Sequence, residues 1–439
     1  MTEPHEHRGV PYHPVADRID ITPALDPLWL IVFAFLFAGV ALLTIKRAGF
    51  GAAALVAVVP FFGSHAFLGT TVTAPKVVLL AVIVGLSNRA EAWRVLRRRP
   101  VALVIAAFCA IILVNVLTLA VAQHRSDVLR ESFKWLEYLA VFCTLVVAYA
   151  ADPAARLVRT ALFLSILAVA LSALWEIVSP APSGMWIGDV AIPRIAGVLD
   201  GPNQLGGYLE VAVAALGAWQ MREPNRLTAA TLLLSSIALG LTFSRAAFGG
   251  ALLILAIFAI VERRTVLRLW PLGLGLAGAF AADLARIAVI DGLPAADRSL
   301  LEHASDTNAS LAGGVGNRAE LWRAALFFFR SHPLLGIGAG NYELELSQAG
   351  LYGVRTQANS WYLQALAEGG IALFAATVAW IAAVLASLAR TLRTSPWGLA
   401  AFAASCALVA HGFFDDLVFY PKVAEAWIAL IALGVTAVI

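Results

Sequence analysis

Three stretches of this sequence carry residues whose types and spacing could do chemistry. In LTFSRAAFGG (241–250), Arg245 stands between two apolar runs with Thr242 and Ser244 beside it. A guanidinium at a membrane boundary is costly and by default functional, the alternative being a snorkelling arginine that marks a helix end. In IPRIAGVLDGPNQLGGYL (192–209), Arg194 precedes Pro202, Asn203, Gln204 and Gly206. Taken alone, a loop arginine of this kind is solvated. QANSWYLQALAEGG (357–370) opens a helix that Asn359 or Ser360 can cap. Ser360, Gln364 and Glu368 then share one face at i, i+4 and i+8, while Leu363, Leu366, Ala367 and Gly370 line another. A polar stripe on a helix entering a membrane predicts a wet cavity.

The elements that must position these residues follow from composition. With 61% hydrophobic and 13% charged residues over 439 positions, and a mean hydropathy of +0.83, the chain is too apolar for a soluble domain of its length and is an integral membrane protein. Apolar runs near 25–45, 51–68, 74–87, 101–122, 135–151, 157–178, 203–221, 227–243, 246–261, 270–290, 369–389, 398–414 and 423–439 are long enough as helices to cross a bilayer, the second and third being the weakest. Only helices satisfy their own backbone in lipid without closing a barrel, and barrel-type alternation is absent, so the fold class is all-α and polytopic, with about 12–13 spans. Lys46 and Arg47, Arg89 to Arg99, Arg156, Arg222 and Arg226, Arg263 to Arg268, and Arg390 and Arg393 mark cytoplasmic connections. The connections at 123–134, 179–202, 244–245 and 291–368 then face the outside. A net charge of +3 without a basic, aromatic-interleaved stripe gives no sign of nucleic-acid binding. Cys109, Cys143 and Cys406 lie inside apolar runs and act as small hydrophobes.

The expected organisation is a polar tail (1–24), a membrane bundle (25–290), an external helical region (291–368) and three closing membrane helices (369–439). His5, His7 and His13 belong to the tail. In the external region, Asn317-Arg318-Ala319-Glu320 has capping-box spacing, and Leu321, Trp322, Ala325, Phe328 and Phe329 recur at helical spacing behind it. A cation such as Arg318 is poorly placed at a helix start, which implies a partner elsewhere, a carboxylate or a substrate. The glycines of SHPLLGIGAGNY (331–342) suit a tight turn better than a phosphate cradle, since no strand precedes them and no GK[ST] follows. Arg125, Arg130 and Lys134 with Glu131 and Glu137 form either an interfacial ion-pair cluster or a contact to phosphates. Glu176 and Glu210 could pair with the arginines. His411 with Asp415 and Asp416 reads as a helix-end cap or as a divalent-cation site short of a third regularly spaced ligand. The Asn308-Ala309-Ser310 sequon carries no weight.

Taken together in their order, the segments 192–209, 241–250, NRAELW (317–322), 331–342 and NSWYLQALAEGG (359–370) resemble the O-antigen ligase and polymerase superfamily of bacterial inner-membrane glycosyltransferases. The resemblance implies transfer of a glycan from an undecaprenyl-pyrophosphate carrier at the periplasmic face, to a glycan or a lipid A core acceptor, in company with polysaccharide assembly proteins. The family's pyrophosphate-holding arginines match Arg194 and Arg245, and Arg318 matches the arginine opening its periplasmic helix. That agrees with physical need, because a departing pyrophosphate requires fixed cations and a guanidinium meets phosphate oxygens bidentately. No cofactor is implied, and the sequence has no metal-ligand spacing, so the transfer is expected to be metal-independent.

The family's ligases introduce the last periplasmic helix with a histidine proposed as general base. Aligned on Tyr362-Leu363-Gln364, that position is Asn359, with Ser360 following. An asparagine cannot take a proton. Either leaving-group stabilisation dominates and Glu368 replaces the base (ahead of Glu320, Glu343 and His332), or the chain is a polymerase-type relative that joins glycan repeats, the reading favoured here. Arg245, Arg194 and Glu368 are therefore the expected catalytic residues, with Arg318, Asn359, Ser360, Asn203 and Gln364 binding substrate. A transporter or flippase for anionic lipid-linked glycans should show repeat symmetry that is absent. A non-catalytic scaffold should tolerate loss of Arg194 and Arg245.

Overall fold

A computed structural model describes residues 26–61, 65–67, 70–179, 185–187, 190–192, 194–291 and 318–437. The tail histidines, Asn317 and the sequon at 308–310 lie outside the described residues. Each of the thirteen apolar runs falls on a helix: α1 (Pro27–Lys46), α2 (Ala48–Val58), α3 (Ala74–Leu86), α4 (Arg99–Leu117), α5 (Arg125–Ala151), α6 (Ala155–Trp175), α7 (Pro202–Arg222), α8 (Arg226–Leu241), α9 (Arg245–Val261), α10 (Trp270–Asp291), then α12 (Trp361–Leu388), α13 (Pro396–His411) and α14 (Pro421–Thr436). Between α10 and α12 stands the amphipathic α11 (Arg318–Ser331). The chain is an all-α polytopic membrane protein.

Helix starts follow local chemistry. Asp26 accepts a hydrogen bond from the Leu28 amide at 2.8 Å ahead of Pro27, Asn225 accepts from the Thr228 amide at 2.8 Å, and Ser244 accepts from the Ala247 amide, each satisfying an amide the first turn leaves free. Among the described residues, five helices, those beginning at Pro27, Arg99, Arg125, Ala155 and Trp361, are at least 18 residues long and apolar enough to cross a membrane by themselves. The apolar side chains they leave outside, including Phe35, Leu113, Leu164 and Leu171, are the surface a bilayer covers. At the centre, α7 is buried from Gln204 to Met221 and α14 from Lys422 to Thr436 apart from Ala426. Around α7 pack α8, α9, α13 and α14.

Two expectations are corrected. The second apolar run stops as a helix at Val58, and two antiparallel hairpins are present, β1 (His65–Phe67) with β2 (Thr70–Val72) and β3 (Met185–Ile187) with β4 (Val190–Ile192). Residues 123–134 are not a simple connection, because α5 starts at Arg125. The i, i+3 pairs Asp127–Arg130 at 3.2 Å and Glu131–Lys134 at 2.6 Å let this polar segment continue the helix.

The glycine-rich 331–342 segment fills a break in α12. Gly370 has φ +60 and ψ −157 inside that helix, so backbone groups on either side lose their partners. They are recovered from the loop: the Ile337 and Gly338 amides donate to the Ala367 and Glu368 carbonyls at 3.0 and 2.9 Å, and the Ile371 amide donates to the Pro333 carbonyl at 2.9 Å. Such backbone breaks persist at membrane depth only where neighbouring protein satisfies them. Gly336 combines φ +60 with a position where a Cβ would meet the Ala367 carbonyl oxygen at 2.4 Å. The glycines are therefore required by a backbone-to-backbone joint. The division drawn after Glu368 falls beside this break.

Candidate active site

The first of two polar regions is built on arginine. Arg194 donates through Nε to the Thr242 carbonyl at 2.7 Å and through Nη2 to Asn203 Oδ1 at 2.7 Å, and Asn203 donates through Nδ2 to Asp415 Oδ2 at 2.9 Å. One side chain thus ties the loop at 194 to the first turn of α7 and to the residue two before the N-cap of α9. Phe243, between them, has the left-handed φ of 51, a conformation that costs a bulky residue energy and marks a constrained turn. The starts of α7 and α9 are pressed together, since a Cβ on Gly206 would lie 2.8 Å from Ala247 Cβ and 3.3 Å from Ser244 Cβ. Helix N-termini present free amides and partial positive charge, so this junction favours an anion. Arg245 is the exposed first residue of α9.

Glu176 and Glu210 do other work. Glu176 accepts from the Ala196 and Gly197 amides at 2.8 and 3.0 Å, fixing the loop just after Arg194. Glu210 pairs with His411 Nδ1 at 2.7 Å, and both are buried. Among the described residues no carboxylate lies within ion-pair distance of Arg194. Burial first, and then the nearby Arg318 guanidinium, hold Arg194 below the usual arginine range against the opposing pull of Asp415. Arg318, half-buried at the first position of α11, and Arg194 therefore repel each other across this region, an arrangement an anion between them would relieve.

The second region is a cavity of about 760 Å³ between α5, α12, the glycine loop and the 416–419 turn. Its wall from α12 is the expected polar stripe. Gln364 accepts from the Ala358 amide at 2.8 Å and donates to Glu368 Oε1 at 2.8 Å, and the Tyr342 amide donates to that same oxygen at 3.3 Å. The α5 wall supplies Glu131 and Lys134, with the Lys134 ammonium 4.6 Å above the centre of the Phe419 ring. Trp135 and Trp361 also line the space. Asp416 accepts from the Phe419 amide at 3.3 Å. Burial pushes its carboxyl up to about 7 against the pull of Lys134, with Glu131 and Asp415 adding to the rise.

The two regions meet at the segment after α13. Asp415 points its hydrogen bond toward Asn203 and Arg194, whereas Asp416 lines the cavity. The Trp361 amide donates to the Gly412 carbonyl at 2.9 Å, anchoring the start of α12 to the same segment. Ser360 and Asn359 stand immediately before Trp361 but do not line the cavity. Ser360 is buried and caps α12 by position without a side-chain hydrogen bond, and Asn359 has φ 49, tolerable for asparagine. The structure therefore joins Arg194 with Asn203, and Gln364 with Glu368. Arg194, Arg245 and Arg318 do not line the cavity.

Sequence reasoning underused Asp415 and Asp416, weighing them as a cap or cation pair. Both do serve as local acceptors, Asp415 for the Asp416 amide at 2.8 Å and Asp416 for Phe419. No cluster of three or more metal-ligating side chains occurs among the described residues. The Asp415–Asn203 link spans 212 positions and has no local signal. Glu131 and Lys134 did have one, the i, i+3 charge spacing that extends α5.

A search of curated proteins gives no match. A family model described as O-Antigen ligase matches residues 230–378, which run from α8 through the Ser244-Arg245 turn, α11 and the glycine loop into the broken α12, and over that segment, about a third of the chain, the match supports the resemblance to the O-antigen ligase and polymerase superfamily.

Proposed function

We propose that this protein takes a glycan from an undecaprenyl-pyrophosphate carrier at the periplasmic face of the bacterial inner membrane and joins it to a second glycan on the carrier, as a polymerase does. Glycan transfer in general is supported by the family match; the carrier, the face and the polymerase-type acceptor are the proposal. The observation that carries it is the tie from Arg194 to both Asn203 and Thr242, which brings two helix starts together around Arg194, with Arg318 near enough to repel it, beside a separate sugar-sized cavity.

In the proposed step, pyrophosphate oxygens lie against Arg194, Arg245 and Arg318, and the acceptor sugar enters the cavity. The acceptor oxygen bonds to the donor's anomeric carbon as the bond to pyrophosphate breaks, and the electron pair leaves on the phosphate oxygen. The hydroxyl proton passes to Glu368, held by Gln364 and the Tyr342 amide. Fixed arginines stabilise the charge that develops on the leaving group, so the transfer is proposed to be metal-independent. Asn359 and Ser360 set the start of α12 rather than take a proton. The arginine-rich connections predicted to be cytoplasmic support the periplasmic face for this site.

The test is expression in a host lacking its own polymerase and ligase, with a matched donor. A glycan ladder on the carrier, lost in Arg245→Ala, supports the proposal. Glycan on lipid A instead would make the protein a ligase that works without the histidine, and an unchanged carrier pool would contradict transfer.

A further inference from the structure

The acceptor cavity has a charge of its own, opposite to that of the arginine region. Its walls hold five carboxylates and three cations. Two of the cations are engaged within the walls, Arg130 with Asp127 at 3.2 Å and Lys134 with Glu131 at 2.6 Å. The third, Arg355, is exposed. Glu368 and Asp416 are 8% and 5% exposed, and among the described residues no cation lies within ion-pair distance of either. While ionised, carboxylates so enclosed are strong acceptors for hydroxyl donors and repel any second anion brought into the same low-dielectric space; for Asp416 that holds above about 7. Trp135 and Trp361 supply flat apolar faces between them, the combination of a few placed polar groups with aromatic walls that fits a sugar ring.

We infer that the cavity binds an uncharged sugar terminus, its hydroxyls donating to Glu368 and Asp416, and excludes sugars that carry carboxylate or phosphate. This rests on the reading of the cavity as the acceptor site. It extends that reading to substrate class: the departing pyrophosphate of the donor is handled on the arginine side of the 412–420 segment, and the cavity takes the sugar end of the acceptor. A heavily phosphorylated acceptor does not fit the cavity side.

The test is calorimetric binding, at about pH 9 so that the wall carboxylates are ionised, of two trisaccharides to the full-length protein in detergent without donor, one built of neutral N-acetylated sugars and one of uronates. The expected result is binding of the neutral trimer roughly tenfold or more tighter, as like-charge juxtaposition at a binding surface predicts, with the gap shrinking in Glu368→Gln/Asp416→Asn. Glu131→Gln, which leaves Lys134 uncompensated on the opposite wall, should shrink it too and serves if the double variant does not fold. Equal binding, tighter binding of the uronate, binding of neither, or a gap that no variant alters would overturn the inference. Because no donor is present, loss of transfer in Arg245→Ala speaks to the donor site and leaves this result standing.

Discussion

Two polar regions lie on either side of one short segment, and they are built in opposite ways. The arginine region is assembled by tertiary hydrogen bonds between distant pieces of chain, with Arg194 held by neutral oxygens so that its charge remains available. The cavity is assembled locally, from a polar stripe one helical turn apart on α12 and from i, i+3 pairs on α5. The first is suited to a departing anion. The second, where among the described residues no cation lies within ion-pair distance of Glu368 or Asp416, is suited to a hydroxyl that must lose a proton. Chemistry that separates an anionic leaving group from a proton acceptor needs this polarity, and adjacent aspartates, Asp415 and Asp416, serve one region each.

The largest expected effect breaks the arginine side. Arg194→Ala should lower transfer on the order of 10³-fold, since it removes a charge at the leaving group and also frees the Asn203 and Thr242 contacts; product formation per mole of folded protein checks it. Glu368→Gln, nearly isosteric, should cost about 10²–10⁴-fold in turnover while carrier binding is retained, the loss typical of a missing general base. Equal loss of carrier binding would merge the two regions and remove the contrast.

Gly336→Ala strikes the joint that supports the cavity. It forces a side chain into a left-handed position and against the Ala367 carbonyl, and should destabilise by roughly 2–4 kcal/mol, read as a fall in midpoint temperature. The Gln364 and Glu368 part of the polar stripe was legible in the sequence because helical spacing is local, and so were the helices and the role of the glycines as a turn, whereas Ser360 does not line the cavity. The reason those glycines are needed was not legible, because the partner is the Gly370 break in another element. Likewise Arg194 and Asn203 were recognisable as a motif, but the third member, Asp415, lies 212 positions away from Asn203.

Asp415→Asn sharpens the comparison by loosening Arg194 through Asn203 alone. It should reduce transfer by about tenfold, equivalent to roughly 1.4 kcal/mol of one charge-assisted hydrogen bond, without altering sugar binding in the cavity. The smallest effect is on pH. The Asp416 carboxyl is raised from an ordinary value of 3.8 to about 7, so between those values the folded state holds a proton that the unfolded state releases. Stability should therefore fall as pH rises from about 4 to about 7 and level off above, and Asp416→Asn should remove that part of the slope. Burial chiefly, and then Lys134, Glu131 and Asp415, which face the group, set the midpoint. Thermal midpoints of the two proteins across that range decide it.

The central claim, that the arginine region receives the pyrophosphate leaving group of the transfer, is tested most directly by purified protein in vesicles with a carrier-pyrophosphate glycan as the sole donor. Carrier pyrophosphate released and glycan length are measured together for the wild type and for Arg245→Ala. The account predicts lengthened glycan with matching release from the wild type and neither from a folded Arg245→Ala. Undiminished product and release in that variant would contradict it.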